Sequence, residues 1–234
     1  KDVDGRDLLD LSMRFGAMLA GHLNPDVVAE LKSTLDVGTL FVTPSPISRD
    51  AAERLCKRFA IDQIRFANSG TEATMYAVRT ARAYTGKTAI VKIEGGYHGS
   101  YDPLIVSSKP ALNQAGDAEA PTPVVPESAV PGEIFVVPYN NLEALEIMFK
   151  RNFERIACFI LEPVLENIGI VLPDNGYLEG VRALCDQYGI ILIFDEVQHL
   201  KNIRSLGANA ARQIVQDIRA KKEEKATESA AALS

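Results

Sequence analysis

The stretch Asn68-Ser69-Gly70-Thr71-Glu72 joins a short apolar run, residues 64–67, to a long helical pattern. Ser69 followed by Glu72 three residues later is a capping box, so a helix is predicted to begin here. Gly70 lets a ligand approach the backbone closely, and the unpaired N–H groups and dipole of a helix N-terminus attract anions. A capped helix that binds nothing has the same signature. This motif alone therefore leaves anion binding open.

Downstream of this stretch, short apolar runs alternate with amphipathic helical patterns. The pattern predicts helices at 72–85, 141–152 and 176–188 and strands at 64–67, 89–94, 134–137, 157–161 and 190–194. Strands that alternate with helices of this length need crossover connections, which give a mainly parallel sheet covered on both faces. The predicted fold class is therefore α/β.

The chain divides into three predicted parts. Residues 1–60 form a small N-terminal layer with helices at 26–34 and 48–59. Residues 61–198 form the α/β domain, in which a segment rich in Pro, Ala and Ser makes a long surface excursion. Residues 199–234 are predicted to form a helical or disordered tail, because residues 209–234 are dominated by Ala, Gln and charged residues.

The composition argues against several classes of function. The formal net charge is −6, which is unfavourable for a nucleic acid or an anionic membrane surface as partner. No apolar run approaches the roughly 20 residues of a membrane-spanning helix. Cys56, Cys158 and Cys185 lie far apart in apolar contexts, which indicates the reduced thiols of a cytoplasmic protein. The three histidines pair with no cysteine at ligand spacing, so we predict no metal site.

Three polar clusters follow predicted strands: residues 68–71, 95–99 and 195–198. In parallel sheets, ligands bind at the carboxyl ends of the strands. The three clusters are therefore expected to meet at one edge of the sheet. A sheet with a purely structural role does not need this convergence.

Asp195 follows a buried apolar strand, where a carboxylate is costly unless it meets a cation. One suitable partner is a protonated ring nitrogen of a cofactor. An ATPase is the rival interpretation, since an apolar strand ending in Asp-Glu occurs there and residues 86–88 resemble the end of a P-loop. The leading glycine of that motif would fall at Ala81, inside a helix, which disfavours the ATPase. A structural role for Asp195 at the strand end stays open.

Tyr97 lies in a loop flanked by glycines, where its ring can lie flat against a planar ligand. Taken alone, Tyr97 is better explained as an ordinary core or surface tyrosine. A phosphate at a helix start, a stacking ring and an acid for a pyridine nitrogen together describe pyridoxal 5'-phosphate.

In these motifs, the chain resembles the class III, fold-type I aminotransferases that use pyridoxal phosphate, and within them the glutamate-1-semialdehyde aminomutase branch. The resemblance is collinear over about the first 198 residues, and it implies the large domain of that fold, with a mostly parallel sheet and helices on both faces. The matching stretches are Gly21-His22 with Pro25, residues 66–73, residues 94–99, Glu162-Pro163 and residues 193–198.

The resemblance implies a cofactor-binding set drawn from all three clusters. Its members are Ser69, Gly70, Thr71, Tyr97, His98, Asp195, Val197 and Gln198. The first three would hold the phosphate, Tyr97 and Val197 would cover the two faces of the ring, and Gln198 would lie near the ring hydroxyl. His98 and Glu162 are weaker matches that would support these contacts.

Asp195 is the catalytic residue that the resemblance identifies, since it would keep the pyridine nitrogen protonated. The lysine that should form the Schiff base has no recognisable counterpart. Lys222 lies at about the right chain distance, but residues 220–224 are a run of helix formers without a glycine turn, which is typical of solvated surface charge. Lys201 follows the strand too closely. We therefore expect the cofactor-binding part of a longer enzyme, truncated after residues 195–198 and followed by an unrelated tail.

The implied activity is amino-group transfer on a small amino or keto substrate, by a transaminase or an aminomutase, and Gln198 slightly favours the transaminase. The resemblance also implies a homodimer, with no nucleic acid or membrane partner. We expect this chain alone to bind the cofactor weakly and to turn over little. The alternative is a non-catalytic module of this fold, or a truncated product, that acts through dimerisation if it acts at all.

Overall fold

The computed structural model describes residues 1–14, 17–18, 20–114, 116–117 and 119–195. The chain forms two compact units, Lys1–Ala51 and Ala52–Ser234. The predicted boundaries after residues 60 and 198 stay predictions. In chain order, the elements of the described residues are α1 (Pro25–Leu35), α2 (Pro46–Phe59), α3 (Gly70–Thr85), β1 (Ala89–Ile93), α4 (Asp102–Ile105), β2 (Ile134–Val137), α5 (Leu142–Asn152), β3 (Ile156–Leu161), α6 (Tyr177–Tyr188) and β4 (Ile191–Phe194).

Helix α1 of the first unit begins at a capped proline. The Asn24 side chain accepts hydrogen bonds from the N–H groups of the first turn, and proline is favourable at this first position because its missing N–H needs no partner there. Val27, Leu31 and Leu35 recur every four residues and therefore share one face of α1. Their exposed fractions are 48%, 60% and 63%, so α1 presents an apolar stripe to solvent.

The second unit is built on a parallel sheet with the strand order β2-β1-β3-β4. All three neighbouring pairs are parallel, with Val91 level with both Phe135 of β2 and Phe159 of β3. The sequence-based prediction of a parallel α/β sheet is therefore confirmed.

Apolar side chains cover both faces of this sheet. On one face, α5 and α6 pack against the strands, and Phe149 of α5 meets Phe159 of β3 edge to face with ring centroids 5.9 Å apart. On the other face, Val78 and Ala81 of α3 and Leu104 of α4 pack against strand residues. Every residue of β1 and β3 is buried, which explains why these strands are apolar throughout except for Lys92 of β1.

Most predicted elements lie within two residues of the observed ones, but the strand predicted at 64–67 is wrong. These residues form no strand in the described structure. Arg65, Phe66 and Ala67 are exposed, and the Arg65 guanidinium lies 5.2 Å from the centre of the Tyr76 ring. A short apolar run becomes a strand only where a neighbouring strand pairs with it.

The connections of the sheet diverge at the carboxyl ends of β1 and β3. The chain leaves β1 towards β2 on one side and leaves β3 towards β4 on the other. Adjacent strands whose connections diverge in this way form the topological switch point at which open α/β sheets bind ligands. Among the described residues, no helix is both long and apolar enough to cross a bilayer.

Candidate functional site

Helix α3 begins at the capping box that the sequence predicts. The Glu72 N–H donates to Ser69 Oγ over 3.2 Å. The Glu72 carboxylate in turn accepts a hydrogen bond of 2.6 Å from the Asn68 N–H, and this bond is the main reason that the pKa of Glu72 is lowered. The start of the helix is therefore fixed by two local hydrogen bonds.

The first turn of α3 keeps donors for an anion. The Ala73 N–H makes the first backbone bond of the helix, to the Ser69 carbonyl, so the N–H groups of Gly70 and Thr71 have no partner within the helix. A Cβ atom built on Gly70 would meet nothing within 4 Å, so the space beside this backbone is open. Thr71 Oγ1 accepts from the Ser100 N–H and, like the Ser69 hydroxyl, still has a proton to donate. This donor set fits a phosphate group.

The loop of residues 95–99, here called the ring loop, packs directly on this first turn. Gly99 has a φ of +89°, and a Cβ atom at this position would lie 2.7 Å from the Cα of Thr71. The Thr74 hydroxyl of α3 donates to the carbonyl of His98 over 2.8 Å. The first two predicted clusters therefore meet, as expected.

Tyr97 has a fixed backbone and an accessible ring. Its N–H donates to Glu162 Oε1 over 2.8 Å, and 46% of the residue's surface is exposed. Glu162, which follows β3, is buried, and its Oε2 accepts from the Glu166 N–H over 2.8 Å. Glu162 thus supports the loop that carries Tyr97, while the tyrosine ring remains available to a planar ligand.

Asp195 joins the third cluster to the ring loop. Its N–H donates to the Leu161 carbonyl, which places it directly after β4. Its Oδ2 lies 2.8 Å from Nδ1 of His98, whose side chain is fully buried. The other His98 nitrogen, Nε2, is buried and makes no hydrogen bond within the described residues, so the proton shared with Asp195 belongs on Nδ1. A carboxylate accepts several hydrogen bonds, so this contact is compatible with a further donor.

Several predicted site residues lie outside the described part of the chain. These are Val197, Gln198 and Lys222, together with Lys201. Within the described residues, no group of three or more His, Cys, Asp or Glu side chains could hold a metal ion.

A comparison with known families identifies the family of this chain. A family model described as "Aminotransferase class-III" matches residues 1–199. This chain belongs to the class III aminotransferases. The predicted resemblance is thereby confirmed, and this family depends on pyridoxal phosphate.

Relatives of this class III chain include the branch that the sequence suggested. A glutamate-1-semialdehyde 2,1-aminomutase from Natranaerobius thermophilus is 40% identical over 218 residues, which cover 93% of this chain and 50% of that protein. The chain thus spans about half the length of the curated relatives it matches. The match covers 218 residues of this chain, whereas only 198 residues precede the segment predicted as an unrelated tail. The match therefore includes part of that segment.

Solved structures show the same fold. An omega-transaminase from Sphaerobacter thermophilus superimposes with a TM-score of 0.79 at 33% identity, over 84% of this chain and 46% of that one. A transaminase with pyridoxal phosphate bound gives a TM-score of 0.75 at 33% identity, with the same coverage. The fold-type I prediction is therefore confirmed.

In this class III aminotransferase, the sequence-based prediction missed Lys92 and Asn167 beside the site. Lys92 is wholly buried in β1, and its Nζ donates to the carbonyls of Gly96 and Val106. Burial lowers the pKa of Lys92 to about 7, although the negative charge of Glu162 partly opposes this shift. A lysine inside the otherwise apolar run of β1 was the available signal.

Proposed function

We propose that this chain provides the cofactor-binding half of an enzyme for pyridoxal-phosphate-dependent amino-group transfer. The observation that carries the proposal is the His98–Asp195 hydrogen bond. This bond ties the carboxylate after β4 to the loop that holds Tyr97, and the same loop packs on the first turn of α3. An anion cradle, an accessible aromatic ring and a carboxylate thus share one edge of the sheet.

Each part of this edge has a distinct task. The N–H groups of Gly70 and Thr71, with the hydroxyls of Ser69 and Thr71, would bind the phosphate. Tyr97 would stack on one face of the pyridine ring. Asp195 would accept a charge-assisted hydrogen bond from the protonated ring nitrogen. When bound there, pyridoxal phosphate supplies an electrophilic aldehyde and an electron-withdrawing ring.

His98 orients the Asp195 carboxylate in this scheme. Its Nδ1–H holds Oδ2, and the Thr74 hydroxyl holds the carbonyl of the same histidine. The His98 side chain is fully buried and the Asp195 side chain is 16% exposed, so the carboxylate has little freedom to rotate away from the ring nitrogen. Preorganisation of this kind reduces the free energy lost when a ligand binds.

The proposal is tested by measuring the binding of pyridoxamine 5'-phosphate to the whole chain by calorimetry. This form has no aldehyde, so it does not react with surface lysines. We expect Asp195→Asn to weaken binding about tenfold to a hundredfold, because a hydrogen bond to a charged group contributes about 1.5–3 kcal/mol. Tyr97→Ala removes the stacking surface and should weaken binding by about tenfold.

Two variants serve as matched controls. Asp174→Asn removes an exposed carboxylate, and Phe153→Ala removes an aromatic ring that is 39% exposed at the C-terminal end of α5. Neither residue belongs to the proposed site, so both should bind the probe as the wild type does. If Asp195→Asn and Tyr97→Ala also bind it unchanged, the proposed site is wrong.

For the substrate, we propose a small amino or keto compound, in a transaminase or an aminomutase reaction. The aminomutase relatives and the omega-transaminase neighbour support both versions. The absence of turnover by this chain alone would agree with a missing Schiff-base lysine. Turnover of a donor amine that is abolished in Lys222→Ala would instead make the tail part of the active site.

We further propose that the chain associates as a homodimer. The apolar stripe of α1, formed by Val27, Leu31 and Leu35, supports this proposal because burial of such a stripe favours association. Light scattering after size exclusion should give twice the chain mass, and Leu31→Glu should give a monomer. The non-catalytic alternative predicts association with a longer, active relative but no binding of pyridoxamine phosphate.

A cytoplasmic location is proposed from the cysteines. Cys56, Cys158 and Cys185 are free thiols. Burial raises the pKa of Cys158 and of Cys185 to about 12, so these thiols stay protonated and unreactive at neutral pH. Fractionation of cells that express the tagged chain tests the location, and recovery from an oxidising compartment would contradict it.

A further inference from the structure

Lys92 occupies a position in the sheet where a charged residue is unexpected. It is 0% exposed and lies in the middle of the sheet, on β1 between the neighbouring strands β2 and β3. Removal of an ammonium group from water carries a large free-energy penalty. A methionine of similar length would fill this space without that penalty, so the amine must do something that an apolar side chain cannot.

The amine bridges two irregular segments above the sheet. One is the ring loop, and the other is residues 106–108, here called the anchor segment, which follow α4. Lys92 Nζ donates to the Gly96 carbonyl over 2.8 Å and also to the Val106 carbonyl. It lies 3.5 Å from Ser108 Oγ as well.

Asn167 joins the same two segments through a second pair of carbonyls. Its Nδ2 donates to the Gly95 carbonyl over 2.9 Å and to the Ser108 carbonyl over 2.7 Å. One backbone bond, from the Gly95 N–H to the Ser107 carbonyl, links the segments directly. Lys92 and Asn167 therefore satisfy four carbonyls that irregular backbone cannot pair within a helix or a strand.

We propose that Lys92 and Asn167, together called the clasp, are positioning residues that hold the ring loop on the anchor segment and thereby set Tyr97 and His98 in the cofactor site. The inference rests on the proposed function, because the position of the ring loop matters only if it lines that site. Gly96 directly precedes Tyr97, and His98 contacts Asp195. A ring loop released from the anchor segment would therefore disturb both the stacking ring and the carboxylate.

Hydrogen exchange of the full chain tests the clasp without any ligand. In Lys92→Met and in Asn167→Ala, the amides of Gly95 and Tyr97 should exchange about tenfold faster or more, since each variant leaves two carbonyls unpaired. The amides of β3 should keep their protection. Lys150→Met and Asn113→Ala change exposed residues of the same types and should leave all of these amides unaffected.

A second measurement follows the bound pyridoxamine 5'-phosphate by its induced circular dichroism. The clasp variants should lose part of this signal and bind the probe about tenfold more weakly, because the ring loop no longer orients the ring. Their affinity for inorganic phosphate should match the wild type, since the first turn of α3 is untouched. A general loss of structure would weaken both ligands equally.

Three results would overturn the inference. The first is that the amides of Gly95 and Tyr97 exchange at the wild-type rate in both clasp variants. The second is that exchange becomes faster to the same extent in β3. The third is an unchanged dichroism signal in variants of a wild type that binds the probe normally. If Lys92→Met does not fold, Asn167→Ala alone decides by the same criteria. A wild type that fails to bind pyridoxamine phosphate refutes the proposed function, and with it the cofactor role of the clasp.

Discussion

Replacement of Gly99 by alanine tests the contact that joins the ring loop to α3. The φ of Gly99 is +89°, which costs roughly 1–2 kcal/mol for a residue with a Cβ atom. The new methyl group would also lie 2.7 Å from the Cα of Thr71, and such overpacking adds typically about 1–3 kcal/mol. Gly99→Ala should therefore lower the free energy of unfolding by about 2–5 kcal/mol.

Gly132→Ala is the matched control for this experiment. Gly132 has a φ of +75°, but a Cβ atom there would meet nothing within 4 Å. The control should lose only the backbone contribution of about 1–2 kcal/mol. The difference between the two variants thus measures the contact with Thr71 alone.

Urea unfolding followed by far-ultraviolet circular dichroism provides the measurement, and the two variants should share the wild-type m-value. We also expect Gly99→Ala to weaken the binding of pyridoxamine phosphate, because the ring loop must move away from the first turn of α3. Equal destabilisation by Gly99→Ala and Gly132→Ala would refute the close packing of these two segments.

Three further predictions concern stability. Ser69→Ala removes the cap of α3 and should cost about 0.5–2 kcal/mol in the same urea assay, and no loss would mean that the cap is redundant. Phe159→Ala empties a fully buried position and should cost about 3–5 kcal/mol, whereas loss of the half-exposed Phe153 ring should cost far less; similar losses would contradict the core assignment. Lys92 has a folded-state pKa of about 7, below its ordinary 10.5, so the unfolded chain binds more protons between these values. The contribution of Lys92 to the free energy of unfolding should therefore rise from pH 7 towards pH 10.5 and be constant below pH 7. Lys92→Met should flatten this rise. If the free energy of unfolding rises equally steeply with pH in Lys92→Met, another titrating group causes the rise.

Local signals in the sequence predict the ends of helices well. Asn141 Oδ1 accepts a hydrogen bond from the Ala144 N–H and caps α5, and Gly86 ends α3, in agreement with the helices predicted at 141–152 and 72–85. Both depend on atoms only a few residues apart. The convergence of the polar clusters was also predictable, because parallel strands end at a common edge.

Contacts between distant parts of the chain were not predictable in this way. The tie from Asn167 to Gly95 spans 72 residues. Nothing in the local sequence marks Asn167 as a partner of Gly95, since an asparagine in a loop is ordinary. The strand prediction at 64–67 was wrong for a related reason, because a strand forms by pairing with another strand and not from composition alone.

The position of β4 has a consequence for the lifetime of the site. In the described sheet, β4 pairs with β3 alone, and it carries the carboxylate that bonds to a histidine 97 residues earlier in the chain. Rim strands of a sheet detach at a lower free energy than central ones. We therefore expect local unfolding of β4 to open the cofactor site while the remainder of the sheet stays folded. A bound cofactor should then slow this local unfolding more than it slows global unfolding.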